Sequence, residues 1–131
     1  MMIQANELRY GNWVKSTVTG EVITVNWLVI KHVANGNVQS VYDVDMPVYT
    51  PIPLTPELLE RCGFEYRHDR GQVYDWHIGE NPVTYDWLFC ITEFREDKIF
   101  FYQNGHHQIK SLHHLMNLYH SLTGTELEVK W

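Results

Sequence analysis

Pro51-Ile52-Pro53-Leu54-Thr55-Pro56-Glu57-Leu58-Leu59-Glu60-Arg61-Cys62-Gly63-Phe64 is the stretch from which the rest of the chain can be read. Thr55 suits a helix N-cap, where its hydroxyl can accept from an orphan backbone N–H. Pro56 suits the first helical position, which has no N–H to lose. Glu57 places negative charge at the positive end of the helix dipole. Leu54 and Leu59 fall at the positions of a hydrophobic staple, and Gly63 suits the left-handed residue past the helix end. Pro51 and Pro53 keep the approach extended. With Leu58, Leu59, Cys62 and Phe64 on an apolar face, residues 51–64 predict a short capped helix that serves as a packing joint between two strand-rich halves.

On the N-terminal side, residues 6–14 lead from a turn into a first strand, and Thr19-Gly20 punctuates. Residues 21–33 form a β-favouring run with Ile23, Val25, Trp27 and Val29 at period two. Asn35-Gly36 then reads as a hairpin turn, with residues 38–45 returning as the partner strand. Short strands and tight turns predict a small barrel-like sheet over residues 1–50, SH3-like by analogy, and the analogy carries no function.

Past the joint, residues 64–68 predict a strand turned at Arg70-Gly71. Tyr74, Trp76 and Ile78 share one face of a strand, as do Tyr85, Trp87, Phe89 and Ile91, and the two predict an antiparallel pair. Arg95 to Lys98 is a charged turn, Ile99 to Tyr102 a central strand, and Asn104-Gly105 a further turn. Residues 111–123 predict a helix capped by Ser111 and stopped by Gly124. Its stripe of Leu112, Leu115, Met116, Tyr119 and Leu122 should lie on the aromatic face of the sheet. Glu126 to Lys130 predicts a last edge strand. The fold class expected is α+β: one domain over residues 1–131, with the joint at 51–64 and an antiparallel sheet plus helix over 65–131.

Hydrophobic residues make up 44% and aromatics 14% of the 131 residues, which is enough for a core and argues against disorder. The formal net charge is −6, with four basic and six acidic residues in 1–64 and six and ten in 65–131. No Lys/Arg cluster appears, so generic binding to a phosphate backbone is disfavoured. The two cysteines, Cys62 and Cys90, lie in apolar patterns and read as buried reduced thiols. The longest apolar run, Trp87 to Ile91, is far short of a membrane span, and no signal peptide pattern is visible. The expectation is a cytoplasmic protein with no membrane association.

Three segments together resemble a known family. They are Asn6-Glu7-Leu8-Arg9-Tyr10-Gly11-Asn12-Trp13-Val14; Pro51-Ile52-Pro53-Leu54-Thr55 with Cys62-Gly63-Phe64; and His113 with Leu115, Asn117-Leu118-Tyr119, Leu122-Thr123-Gly124 and Glu126-Leu127. The set resembles a family of short uncharacterised proteins of Bacteroidetes genomes and their phages and prophages, over about a third of the chain. Tyr10 stands where an aliphatic residue is usual, and Pro56 where an acidic one is. The resemblance implies an accessory protein of mobile elements, and it carries no catalytic or binding residue over to this chain.

Eight histidines invite a metal reading. Metal ligands must converge at about 2 Å on one ion. His106 and His107 would point to opposite faces of an extended segment. His113 and His120 are seven residues apart, roughly 10 Å along a helix. No metal ligand set and no cofactor is therefore predicted. His113, Asn117 and His120 form a polar helical stripe that could be a recognition face, and they are the candidate binding residues. Asp75, His77 and Asp86 could meet on the outer face of the 73–91 hairpin, where a carboxylate beside an imidazole could support base chemistry; no nucleophile is marked, and no catalytic residue is assigned. No phosphate-binding loop or nucleophile elbow appears. The reading that results is a non-enzymatic module binding an unidentified protein partner. The alternatives are a nucleic-acid-associated accessory factor and a histidine-dependent metalloenzyme. Self-association is open, and a large exposed aromatic patch would favour it.

Overall fold

The 51–64 stretch folds as its sequence dictates. Helix α2 begins at Pro56, and Thr55 Oγ1 accepts from Leu58 N–H at 3.1 Å as the N-cap. Gly63 takes φ +91°, which closes the helix C-terminus, and Leu58, Leu59, Cys62 and Phe64 are all buried. The computed structural model describes residues 3–36, 38–41, 44–70, 73–80, 87–102 and 107–131; for 38–41, 44–47, 67–70, 80, 87 and 88 only the backbone is described.

The chain divides into two compact units, Met1–Pro53 with Ser111–Asn117, and Leu54–Lys110 with Leu118–Trp131. The first unit opens with a 3-10 turn, Ala5–Glu7, followed by β1 (Trp13–Ser16), β2 (Val22–Thr24), α1 (Trp27–Ala34), β3 (Val38–Val41), β4 (Val44–Pro47) and β5 (Tyr49–Thr50). β1 is the centre of a three-stranded antiparallel sheet in the order β2-β1-β5, and β3 pairs with β4. Its core is built from Ile3, Leu8, Val14, Val25 and Val29, with Ile23, Ile30, Val33 and Tyr49 packed against it.

Residues 21–33 are not the long strand their alternation suggested. β2 stops at Thr24, and α1 follows. Asn26 caps α1, its side-chain oxygen accepting from Leu28 N–H at 3.0 Å and Val29 N–H at 3.1 Å. Val29, Ile30 and Val33 then supply a helical apolar face, while Trp27 and Leu28 are exposed. Asn35-Gly36 ends this helix instead of turning a hairpin. Gly36 has φ +66° and its N–H donates to Val33 O at 3.1 Å. β3 consequently finds its partner in β4, not in residues 21–33. Among the described residues no strand set closes into the barrel expected for residues 1–50; the strands form open antiparallel sheets beside a helix, and the SH3-like likeness is not confirmed.

The second unit contains α2 (Pro56–Arg61), β6 (Glu65–Arg70), β7 (Val73–Glu80), β8 (Trp87–Phe94), β9 (Ile99–Tyr102) and β10 (His107–Ile109). They form a five-stranded antiparallel sheet in the order β10-β9-β8-β7-β6. The predicted β7–β8 pairing is present, with Trp76 opposite Ile91 and Ile78 opposite Phe89. β10 was not foreseen, because three residues with two polar side chains carry no periodic signal. Phe89 is the hub of the aromatic core, with Phe64, Tyr102 and Tyr119 rings at 6.1, 4.9 and 5.4 Å.

Helix α3 (Leu112–Thr123) contributes its residues up to Asn117 to the first unit and the rest to the second. Ser111 Oγ accepts from His114 N–H at 3.3 Å as the expected cap, and Gly124 ends the helix with φ +73°. Leu112, Leu115, Met116 and Tyr119 are buried, but Leu122, the last residue of the predicted stripe, is exposed. Residues 126–130 are not an edge strand. They run past the end of α2, where Lys130 N–H donates to Arg61 O at 2.8 Å.

Candidate functional site

The first unit brings two distant segments into one polar network. Residues Arg9 to Asn12 form a tight turn that Gly11, at φ +90°, makes accessible. Asn12 N–H donates to Arg9 O at 3.1 Å, and Arg9 N–H returns a bond to Asn12 Oδ1 at 2.8 Å. The turn is fastened to the strand end opposite it: Gly11 N–H donates to Val25 O and Val25 N–H to Asn12 O. Asn12 is thereby completely buried with its amide nitrogen aimed at α3.

Asn117 receives it. Its Oδ1 accepts from Asn12 Nδ2 at 2.9 Å and from Arg9 Nε at 2.8 Å, and its Nδ2 donates to Glu7 O at 2.7 Å. Both amide orientations follow from the chemistry of their neighbours. A backbone N–H and a guanidinium Nε can only donate, so the atoms facing them are oxygens.

One turn earlier on α3, His113 sits on the same side, only 3% exposed. Its Nδ1 lies 3.2 Å from Ser111 Oγ and its Nε2 3.4 Å from Glu7 Oε1. Ser111 Oγ already accepts from His114 N–H, which leaves its hydroxyl hydrogen to donate to Nδ1. The Glu7 carboxylate can only accept, so the neutral ring carries its proton on Nε2 and donates it there, while Nδ1 accepts from the Ser111 hydroxyl. Glu7 Oε1 also accepts from Gln4 N–H at 3.1 Å, so the same oxygen closes the 3-10 turn. Burial pushes the His113 imidazole below its ordinary range, and Glu7 opposes that shift by its charge and hydrogen bond.

Serine, histidine and glutamate in a row invite comparison with a hydrolytic triad. The burial is the reverse of what that chemistry needs. Ser111, the would-be nucleophile, is buried and occupied as a helix cap, while the Glu7 side chain is the exposed member at 45%. A reacting carbonyl has no approach to Ser111 Oγ. What the arrangement does is hold the N-terminal turn to the first half of α3.

Of the three candidate residues on α3, His113 and Asn117 thus belong to this buried or half-buried network. His120 lies elsewhere, in the second unit, where its Nε2 is 3.7 Å from Glu126 Oε1 and both side chains are well exposed. On the 73–91 hairpin, Asp75 Oδ1 accepts from Thr92 Oγ1 at 3.4 Å. His77 faces Cys90, whose Sγ is 3.8 Å from its Nδ1. Asp86 and His106 lie outside the described residues. Cys90 is half-buried, not fully buried as its apolar neighbours suggested; strand alternation, which sets it opposite to Phe89 and Ile91, was the signal for this.

A second polar cluster went unforeseen. Glu93 is 2% exposed in the aromatic core of the second unit. Its Oε1 accepts from Trp76 Nε1 at 2.9 Å, and Arg95 approaches both carboxylate oxygens through Nε and Nη2 at 3.2 and 3.1 Å. The Arg95 guanidinium lies over the Tyr74 ring at 3.5 Å. The hydrogen bond to Glu93 pushes the Arg95 guanidinium further up.

Among the described residues, no three His, Cys, Asp or Glu side chains come together as a metal site. No helix among them is long and apolar enough to cross a membrane. The chain matches no family model, no curated protein and no solved structure.

Proposed function

We propose that this protein is a non-enzymatic protein-interaction module, an accessory protein of the phage or prophage kind that its three sequence segments resemble. One observation supports the reading above others: the first turn of α1 holds Trp27 and Leu28 out to solvent, Trp27 at 60% exposure. These side chains are presented, not merely left over. Asn26 fixes the helix start beneath them, and Val29, the next residue, is buried in the core. Tyr10, 63% exposed, sits on the turn whose neighbour Gly11 is bonded to Val25, two residues before Trp27. A Trp is a large, rigid contact at low entropic cost, the type most enriched where binding energy concentrates.

The partner fitted to this surface is a protein and not a nucleic acid. Stacking on bases would need a cationic groove around the aromatics, and the chain carries net charge −6. Lys31, 6.0 Å from the Trp27 ring, adds one positive charge beside the apolar pair.

Crosslinked pull-down from the native host tests the reading, comparing wild type with W27A/L28S. Both residues are exposed, so the variant should fold. A partner captured by wild type and lost in the variant is the expected result. Equal capture by both, or retention on DNA or RNA that falls with salt, would rule against it. Sedimentation of the purified protein identifies the case where the partner is a second copy.

A further inference from the structure

Three neighbouring strands of the second unit set a carboxylate, an imidazole and a thiol in one row. The β6–β7 register places Glu65 opposite His77, and the β7–β8 register places His77 opposite Cys90. Directly opposed residues of antiparallel strands project from the same face. This face is opposite to the one that buries Trp76, Phe89 and Ile91. Glu65 on it is exposed, and His77 and Cys90 are half-buried. The imidazole meets the sulfur through Nδ1 at 3.8 Å, which leaves Nε2 on the far side of the ring from the thiol.

We propose that Glu65, His77 and Cys90 form a carboxylate–imidazole–thiol relay that makes Cys90 a site of exchange with small-molecule disulfides. Cys90 Sγ attacks one sulfur of R–S–S–R. The new Sγ–S bond forms as the S–S bond breaks, and its electron pair leaves on the second sulfur as RS⁻. The thiol proton passes to His77 Nδ1 and from the imidazolium to RS⁻, giving R–SH and Cys90–S–S–R. The disulfide is itself the oxidant, so no further electron acceptor is required. The Glu65 carboxylate favours the transient imidazolium.

The role of His77 follows from the resting state of the sulfur. Burial and the neighbouring Asp75 carboxylate push the Cys90 thiol up, so it carries its proton at neutral pH. A protonated thiol is a poor nucleophile, and exchange then depends on a base within reach. Among the described residues, the registers set these groups around the relay. Glu65 faces His77 from β6, where the register also sets His68 opposite Asp75. Asp75 on β7 is bonded to Thr92 of β8, and from β9 Phe101 pairs with Thr92 and brings no charge. Cys62 is an internal control, because burial pushes its thiol up to about 12.

The test uses full-length protein and oxidised glutathione, with adduct formation followed by intact mass and peptide mapping across pH. One adduct is expected, at Cys90, with Cys62 unmodified. The wild-type rate should rise through the imidazole range, roughly pH 6–7, and level off. H77N should lower the rate near neutral pH by on the order of a hundredfold, the low side of what a positioned base contributes. E65Q should move the inflection to lower pH. A wild-type rate that climbs steadily with pH, with no inflection in the imidazole range, would overturn the relay and needs no variant to detect. So would an H77N rate equal to wild type.

Discussion

Replacing Asn117 by alanine removes three hydrogen bonds at once, and they do not weigh equally. The bond from Asn12 Nδ2, at 2.9 Å, is the costly one, because Asn12 is completely buried and its amide would be left unpaired away from water. That desolvation costs about 1–3 kcal/mol. The bond from Arg9 Nε, at 2.8 Å, is half-buried and contributes on the order of 1 kcal/mol once solvent screening is allowed for. Glu7 O, at 2.7 Å from Nδ2, lies where water can replace the donor, and its loss costs about 0.5 kcal/mol. N117A should therefore destabilise by about 3 kcal/mol. N117D keeps the shape and the Oδ1 acceptor but turns an oxygen toward Glu7 O, and it gains a charge beside Arg9. Its cost should be about 1 kcal/mol. Urea unfolding of the two variants checks the order, and the cycle with N12A should give a coupling of about 1 kcal/mol or more. An N117A loss below about 0.5 kcal/mol, the range of an ordinary surface change, would refute the network as the tie between these segments. Independent effects at positions 12 and 117 would refute it equally.

Two further outcomes follow from the buried ionisable groups. The folded protein holds His113 below its ordinary range, so the unfolded chain takes up a proton that the folded one refuses. The corresponding stability is complete above about pH 6.5 and is lost as pH falls through that value, levelling off below the folded pKa; H113Q should show a shallower loss between about pH 7 and 5 in denaturant titrations, and equal slopes would refute the assignment. R95A leaves the buried Glu93 carboxylate without its guanidinium and should cost about 2 kcal/mol, less than a fully buried pair because Arg95 is partly exposed. Adding E93Q should restore part of that loss, since a neutral amide is cheaper to bury and can still accept from Trp76; a further drop in melting temperature would contradict this account.

How much could be read in advance depended on how local the signal was. For α2, Thr55, Pro56 and Gly63 act within one helix length, and the structure follows them. For α1 the same kind of signal was present and lost to a competitor. Ile23, Val25, Trp27 and Val29 alternate as a strand would, yet Val29, Ile30 and Val33 also fit a helical face, and Asn26 was the cap that decides between them. Asn35-Gly36 could not arbitrate, because a type I′ hairpin and a helix C-terminus both need glycine at positive φ. The α3 stripe of His113 and Asn117 was visible at i, i+4 spacing, but which way it faced was not. Its partners Glu7, Arg9 and Asn12 are more than a hundred residues distant, and no local pattern announces them.

The polar network changes what the sequence resemblance can mean. Glu7, Arg9 and Asn12 lie in the first resembling segment and His113 and Asn117 in the third, so two of the segments meet as hydrogen-bond partners. Their residue types are explained by satisfaction alone. Asn12 must accept from Arg9 N–H and donate to Asn117, which no apolar side chain can do without orphaning a buried donor. A motif accounted for in this way specifies a fold and leaves the activity unspecified. Trp27 and Leu28 on α1 and the Glu65–His77–Cys90 row on the second sheet lie outside all three segments, while the exposed Tyr10 falls within the first. Experiments on function gain most from substitutions at those two places.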